Sequence, residues 1–449
     1  MMEPLVHLQS FEHDALGDRS YLIADRGSGL AAVVDPQREI EAYLRAAELL
    51  GCRVVLALET HLHNDFVSGA RRLHDEHGAE VIGSRRAELG FAHRAVAGGD
   101  VVRLGEVEIQ VLDTPGHTPE HVAYLVPGAP AVLFSGGALL PGGAARIDLF
   151  GPQLAATLAD DAFATIRRLL ALDDDTRVLA THGAGSFCSS GVQRRRETTV
   201  AEERERNRFA RLVDAAGLLR EATRDVPPVP RYYARVRALN RVGAGAAPPA
   251  ARLLPTAFAA LARSHAVTVL DTRPEREYCA EHIDGALAVP YGGAFGPWVA
   301  WIAPDELPLA VVAGSDDAAR RVSIGLAAVG RDDVAGYVTN VNELGLPLAH
   351  VGRANPDLLA ADYDATVVDV RWDAEWDEGH IPYALHIPLP DLAARANEVP
   401  RTDRVAVHCR SGYRSVIGVS LLERAGVPNL AHLPGGIEAW GDAGGIVMG

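Results

Sequence analysis

The chain of 449 residues contains no lysine, and all of its basic residues are arginine. That absence excludes Schiff-base chemistry and a lysine general base. Cysteine is scarce as well. Cys52, Cys188, Cys279 and Cys409 lie far apart and spell neither a disulfide framework nor a zinc knuckle. A reducing cytoplasm is the compartment expected for such free thiols. No uncharged apolar run reaches membrane-spanning length, so no membrane association is expected. The opening residues MMEPLVHLQSFEHDA lack the basic and apolar regions of a signal peptide, and none is expected. Positive charge is in deficit. The formal net charge is −16 and no basic stripe stands out, so no nucleic-acid partner is expected. The short basic run around Arg194 is followed by acidic AEERE and reads as a solvated helix face.

What remains is an ordinary globular composition, 48% hydrophobic and 23% charged, with ample material for cores. At roughly 100–200 residues per domain the length predicts two to four domains. Residues 1–245 alternate short β-rich runs (SYLIA, AAVVD, RVVLAL, VEIQVLD, AVLFSG) with helical stretches. The Pro- and Gly-rich segment VPPVPRYYARVRALNRVGAGAAPP then reads as a boundary. Beyond it lies an internal repeat. VTVLDTRPEREYCAEHIDGALAVPY matches ATVVDVRWDAEWDEGHIPYALHIPL, with Asp271/Asp369, His282/His380 and Pro290/Pro388 at one common offset. Two domains follow, 253–350 and 355–449, each with buried strands alternating with helices, which predicts parallel α/β sheets.

In the second repeat, VAVHCRSGYRSVIGVSLLERAG reads as strand, tight loop and helix. Cys409 falls where unpaired N–H groups and the positive end of a helix dipole converge. Arg410 and Arg414 would add positive charge, favouring thiolate over thiol. The loop residues Ser411, Gly412, Tyr413 and Ser415 would cradle a persulfide or a sulfur anion through backbone N–H groups. A Cys-led phosphatase loop also ends in Arg, but it is longer; here only four residues separate Cys409 from Arg414. With Asp369, Arg371, GHIPYALHIPL and PGGIEAW, residues 355–449 resemble a rhodanese domain. The resemblance implies Cys409 as a sulfane-sulfur carrier cycling through a persulfide. Residues 253–350 resemble the same family but carry LAVVAGSDDAARR, with Ala313 or Gly314 in place of the cysteine. This copy is expected to be inert, a spacer or docking module. Cys279 reads as a packing residue.

In the N-terminal part, THLHNDFVSG places His61, His63 and Asp65 just past a strand. DTPGHTPEH places His117 in a glycine turn after a second strand, and THGAGSFC places His182 after a third. Three histidine-bearing loops at strand ends predict a shared metal site. Together with YLIADRGSGLAAVVDPQREIEAYL, these runs resemble the metallo-β-lactamase fold, an αββα sandwich, and within it the persulfide dioxygenases. The resemblance implies one Fe(II), with Zn as the alternative, and oxidation of a low-molecular-weight thiol persulfide by O2 to sulfite and thiol. It also implies a homo-oligomer. The chain departs from that pattern twice. Phe66 stands where a two-zinc hydrolase has a histidine, and Gly137 stands where the iron-binding aspartate belongs. The metal would then be held by His61, His63 and His117 alone, or helped by Asp65 or Asp148, or bound weakly if at all. His182 would support the ligands or face a vacant second-metal position. The expected architecture is a metallo-β-lactamase sandwich followed by two rhodanese-like α/β domains. The expected activity is persulfide oxidation plus sulfur transfer from a thiol persulfide or thiosulfate. The alternatives are sulfur transfer alone, or thioester hydrolysis of glyoxalase type.

Overall fold

The computed structural model describes residues 6–190, 195–224, 226–360, 365–401 and 404–449. Arg194, in the basic run, lies outside them. Among the described residues no helix is long and apolar enough to cross a membrane. The chain divides into two compact units, residues 1–247 with 327–330, and 248–326 with 331–449. Both repeats therefore fall within the second unit.

Two six-stranded sheets form the first unit. One runs Val6–His13, Asp18–Asp25, Leu30–Val34, Arg53–Leu58, Glu80–Ser84, Arg94–Val96 in spatial order. The other runs Thr198–Thr199, Arg177–Ala180, Val132–Gly136, Val122–Val126, Val107–Asp113, Val101–Leu104. Tyr21, Ile23, Val34 and Leu58 of the first sheet meet Val111, Tyr124, Phe134 and Leu179 of the second in one core. Burying side chains of this size contributes about 1.5–3 kcal/mol each. The outer face of the first sheet is covered by Tyr43, Ala46 and Ala47 of the helix Glu41–Leu49 and by Leu73 of Ala70–His77. The spacing of Tyr43, Ala46 and Ala47 places them on one helix face. The helix Pro152–Leu169 covers the second sheet in the same way through Leu158, Ala162 and Ile166. This is the four-layer αββα order. It explains why residues 21–24 and Leu30–Val34 read as continuous apolar runs: sheets covered on both faces bury both sets of side chains.

Two parallel sheets form the second unit. The first runs Leu287–Ala288, Thr268–Asp271, Leu309–Val312, Val334–Val338. The second runs Gly352–Arg353, Leu430–His432, Val405–His408, Thr366–Asp369, Leu385–His386. Leu270 pairs with Leu287 in one sheet, and the repeat-equivalent Val368 pairs with Leu385 in the other. Each first strand ends in an aspartate held by an arginine two residues on. Arg273 Nη2 donates to Asp271 at 2.6 Å, and Arg371 Nη2 to Asp369 at 2.7 Å. The register also resolves which residue replaces the cysteine. Asp369 lies opposite His408 and Asp271 opposite Val312, so Ala313 occupies the place of Cys409.

Candidate metal centre and cysteine loop

In the first unit, strand ends deliver every metal-type side chain. The parallel strand Arg53–Leu58 runs into Glu59–Asp65 and Val107–Asp113 into the turn holding His117, while the parallel pair Val132–Gly136 and Arg177–Ala180 end at Gly137 and His182. Gly116, at φ 145°, lets that turn press onto the helix Pro152–Leu169, because a Cβ there would lie 2.6 Å from Ala162.

His61, His117 and His182 offer ligand atoms that all lie within 4.8 Å of one another, fully buried. Their remaining nitrogens are already committed. His117 Nδ1 donates to the Arg146 carbonyl at 2.7 Å, which directs Nε2 inward, without a partner among the described residues. Burial holds His61 and His117 well below the usual imidazole range, so both are neutral, as a metal ligand must be. His61 Nδ1 meets Thr60 Oγ1 at 2.9 Å, and its Nε2 faces His182 Nε2 at 3.3 Å. Two ring nitrogens at that distance need a cation or a proton between them. Burial lowers the basicity of His182, but the carboxylates of Asp65 and Asp18 overrule it and raise the group to about 10. A metal ion would displace that proton. An orphaned buried Nε2, two neutral imidazoles and a third anchored on carboxylates fit a divalent metal.

Several sequence expectations change here. The triad is completed by His182, not by His63. His63 instead lies with Nε2 3.2 Å from Asp35 Oδ1, and joins Asp65 and His182 in an adjoining cluster. Asp35 itself sits at φ 48°, a backbone conformation that costs free energy outside glycine. It is held there by Thr60 N (2.7 Å), Thr60 Oγ1 (2.8 Å) and Thr181 Oγ1. Asp148 lies outside the clusters, and both of its oxygens are taken by Arg146 at 2.7 Å. Asp65 packs 3.2 Å from His182 Nδ1 and acts through that ring. At Gly137 an added Cβ would lie 2.6 Å from His117 Cδ2, so His117 occupies the space an aspartate stem would need. Phe66 is fully buried and stacks on His63 at 4.2 Å. His121 is not a ligand, since Thr114 Oγ1 and the Gly137 N–H engage its two nitrogens. Asp18 and Asp35 were not singled out from sequence. Their only signal is an acidic residue bordering a fully buried strand.

In the second unit, the strand Val405–His408 ends at Cys409 and the helix Tyr413–Arg424 starts four residues later. The loop closes on Gly412 at φ 103°, whose N–H donates to Cys409 Sγ at 3.2 Å. The PGGIEAW run fastens it from below, with Ile437 N donating to the Cys409 carbonyl at 2.8 Å. Cys409 is 1% exposed. Ser415 Oγ lies 3.8 Å from its sulfur, Ser411 is exposed, and the Tyr413 hydroxyl donates to the Pro290 carbonyl at 2.9 Å. The two arginines differ from expectation. Arg410 is turned outward onto Glu438 at 2.9 Å. Arg414 is half-buried and paired with both oxygens of Glu375, at 2.6 and 2.7 Å. Only Arg414 therefore acts on the thiol, and its charge is largely balanced. The other cysteines differ in kind. Burial and the Glu275 carboxylate push the Cys279 thiol up to about 11, and burial pushes Cys188 well above the ordinary thiol range.

Residues 16–182 match the metallo-beta-lactamase superfamily, and residues 356–443 match the rhodanese-like domain. A hydroxyacylglutathione hydrolase from Rhodospirillum rubrum is 36% identical over 168 residues, 36% of this chain and 60% of that protein. Another, from Polaromonas sp., is 30% identical over 253 residues, 49% of this chain and 93% of that protein. A crystal structure of a metallo-beta-lactamase from Staphylococcus aureus superposes with a TM-score of 0.68 at 26% identity, covering 75% of this chain and 99% of that one.

Proposed function

Because the chain belongs to the metallo-beta-lactamase superfamily and ends in a rhodanese-like domain, we propose that it is a two-site sulfur-metabolism enzyme. The observation that carries this reading is a cluster of three histidines able to hold a metal, encoded on one chain with a cysteine whose sulfur accepts a loop N–H. His61, His117 and His182 would hold a single iron. Iron supplies the redox chemistry toward O2 that persulfide oxidation requires. The overall reaction balances as RSSH + O2 + H2O giving RSH + SO3²⁻ + 2 H⁺. The protein's part is to keep His61 and His117 neutral, to anchor His182 on Asp18 and Asp65, and to leave one side of the centre free of side-chain ligands at Gly137. A small pocket beside His61 is walled by Leu62, Leu89 and Phe91.

At the other site Cys409 would carry the sulfane sulfur, its persulfide held by the Gly412 N–H and the helix N-terminus. Attack of sulfite on that outer sulfur, Cys–S–S⁻ + SO3²⁻ giving Cys–S⁻ + S2O3²⁻, joins the products of the two sites. Residues 253–350 are then a second rhodanese-like domain without the nucleophile. The test is O2 uptake with glutathione persulfide by iron-loaded protein. Uptake with sulfite release supports the oxygenase half, and none with iron bound overturns it.

A second reading has its own support. The relatives matched over 36% and 49% of this chain are named hydroxyacylglutathione hydrolases. Thioester hydrolysis at this centre would show as turnover of S-lactoylglutathione. Phe66, which stands where a two-zinc hydrolase has a histidine, weighs against it.

A further inference from the structure

Cys409 does not end its contacts at its own loop. Ser415 Oγ, 3.8 Å from the sulfur, lies 3.0 Å from His432 Nδ1. His432 Nε2 is hydrogen-bonded to Glu275 Oε2. Glu275 belongs to the first repeat, at the start of the helix Glu275–Ala280. The cysteine-less copy thus supplies a carboxylate to the chain of contacts that ends at the cysteine. His432 is fully buried, so its second nitrogen has no route to solvent.

We propose that Glu275 and His432 are positioning residues that form a proton relay to Cys409 through the Ser415 hydroxyl, so that the first repeat activates the second. The proposal rests on the reading of Cys409 as a sulfur carrier. The contacts define two proton arrangements. In the resting one, His432 Nε2–H donates to Glu275, the Ser415 hydroxyl donates to His432 Nδ1, and the Cys409 S–H donates to Ser415 Oγ. In the active one, the thiol proton has passed to Ser415 and the Ser415 proton to His432 Nδ1. The Ser415 hydroxyl then donates to the Gly412 carbonyl at 2.9 Å, and the thiolate accepts the Gly412 N–H. No bond other than those to protons changes, and charge is conserved as thiolate plus imidazolium. Burial lowers the basicity of His432, against the pull of Glu275, so the ring is a neutral acceptor at rest.

Other charges face this chain. Arg353 Nη1 holds the second oxygen of Glu275 at 3.0 Å. On the far side of the sulfur lie Arg414 with Glu375, and His408, whose Nε2 is 3.4 Å from Asp369. These pairs stay in place when Glu275 is changed, which makes the relay separable. The Cys279 thiol lies in the same helix but is far too weak an acid to compete.

The experiment follows iodoacetamide alkylation of Cys409 in the full chain from pH 6 to 10, with thiosulfate–cyanide sulfur transfer measured in parallel. Glu275→Gln and His432→Gln should slow alkylation at pH 7 by about tenfold. Above pH 9.5 both variants should converge on the unaltered protein, because hydroxide then removes the proton directly. Arg353→Gln breaks the ion pair and removes a charge that lowers the basicity of His432, so it should not slow alkylation. An unchanged profile in Glu275→Gln, or an equal shift in Arg353→Gln, overturns the relay. Normal alkylation without any sulfur transfer would instead overturn the sulfur-carrier reading and leave the relay standing.

Discussion

Two thiols in neighbouring repeats differ because of what surrounds each sulfur. Cys409 receives an N–H at a helix start, whereas Cys279 is packed in a short helix beside Glu275. A thiol raised to about 11 is ionised to about 0.1% at pH 8, and only the thiolate reacts. Alkylation at pH 8 followed by peptide mass mapping should therefore label Cys409 first and leave Cys188 and Cys279 unmodified. Cys409→Ser should abolish sulfur transfer without changing metal content. The neighbouring ion pair carries a sign that can be worked out. Arg414 holds the Glu375 carboxyl below its ordinary range despite the opposing effect of burial. A depressed folded-state pKa stabilises the protein above the unfolded value, near 4.3–4.5, and that stability is lost as pH falls through the depressed one. Glu375→Gln should thus cost about 2 kcal/mol at pH 7 and progressively less toward pH 3, read from denaturant midpoints. The expectation that both Arg410 and Arg414 activate the thiol fails at this scale. Sequence places both within five residues of Cys409 but does not show that Glu438 captures one and Glu375 the other.

Strand ends organise both sites, and strand ends are what the sequence shows best. Apolar runs followed by HLHND, PGHT, THG and HCRSG give the positions of the site loops directly, since a buried strand must end where polar and glycine residues begin. What periodicity cannot give is which face of a loop each side chain takes. His63 is two residues from His61 and equally buried, yet Asp35, brought in from another strand, draws it out of the triad, while His182 enters from the far sheet. The first contact spans 28 residues of chain and the second 121, and neither leaves a local pattern. Two substitutions test the arrangement. His182→Ala should lower iron affinity by about 10–100-fold, more than His63→Ala, as read by metal titration. Gly137→Ala should displace His117, because the new methyl would lie 2.6 Å from the ring. Its metal loss should resemble that of His117→Ala, whereas Gly142→Ala, with its φ of 71° away from the triad, should strain the backbone without that loss. The same limit explains Glu275. The repeat reveals that a cysteine is missing from the first copy, but the contact between Glu275 and His432 exists only once two sheets share one unit.

Taken whole, the two chemistries proposed for this chain have requirements that do not overlap. The metal triad draws its ligands from Arg53–Leu58, Val107–Asp113 and Arg177–Ala180 ends, all in the first unit. The cysteine, its loop donor and the Ser415–His432–Glu275 chain all belong to the second. The two sets share no residue, so under the proposed reading removal of the metal should act on one activity only. A chelator strong enough to strip iron should abolish O2 uptake with glutathione persulfide and leave thiosulfate–cyanide transfer intact. Cys409→Ser should do the reverse, sparing sulfite release while preventing thiosulfate formation. Metal loss should also lower the thermal transition of the first unit, because a bound ion stabilises the folded state by mass action, about 2.7 kcal/mol at a hundredfold excess over the dissociation constant. It should leave the second unit's transition where it was. Two calorimetric transitions of which only one follows the metal would match this independence. A chelator that silenced sulfur transfer as well would mean that the cysteine depends on the metal centre, and that the two sites form one reaction path rather than two activities on one chain.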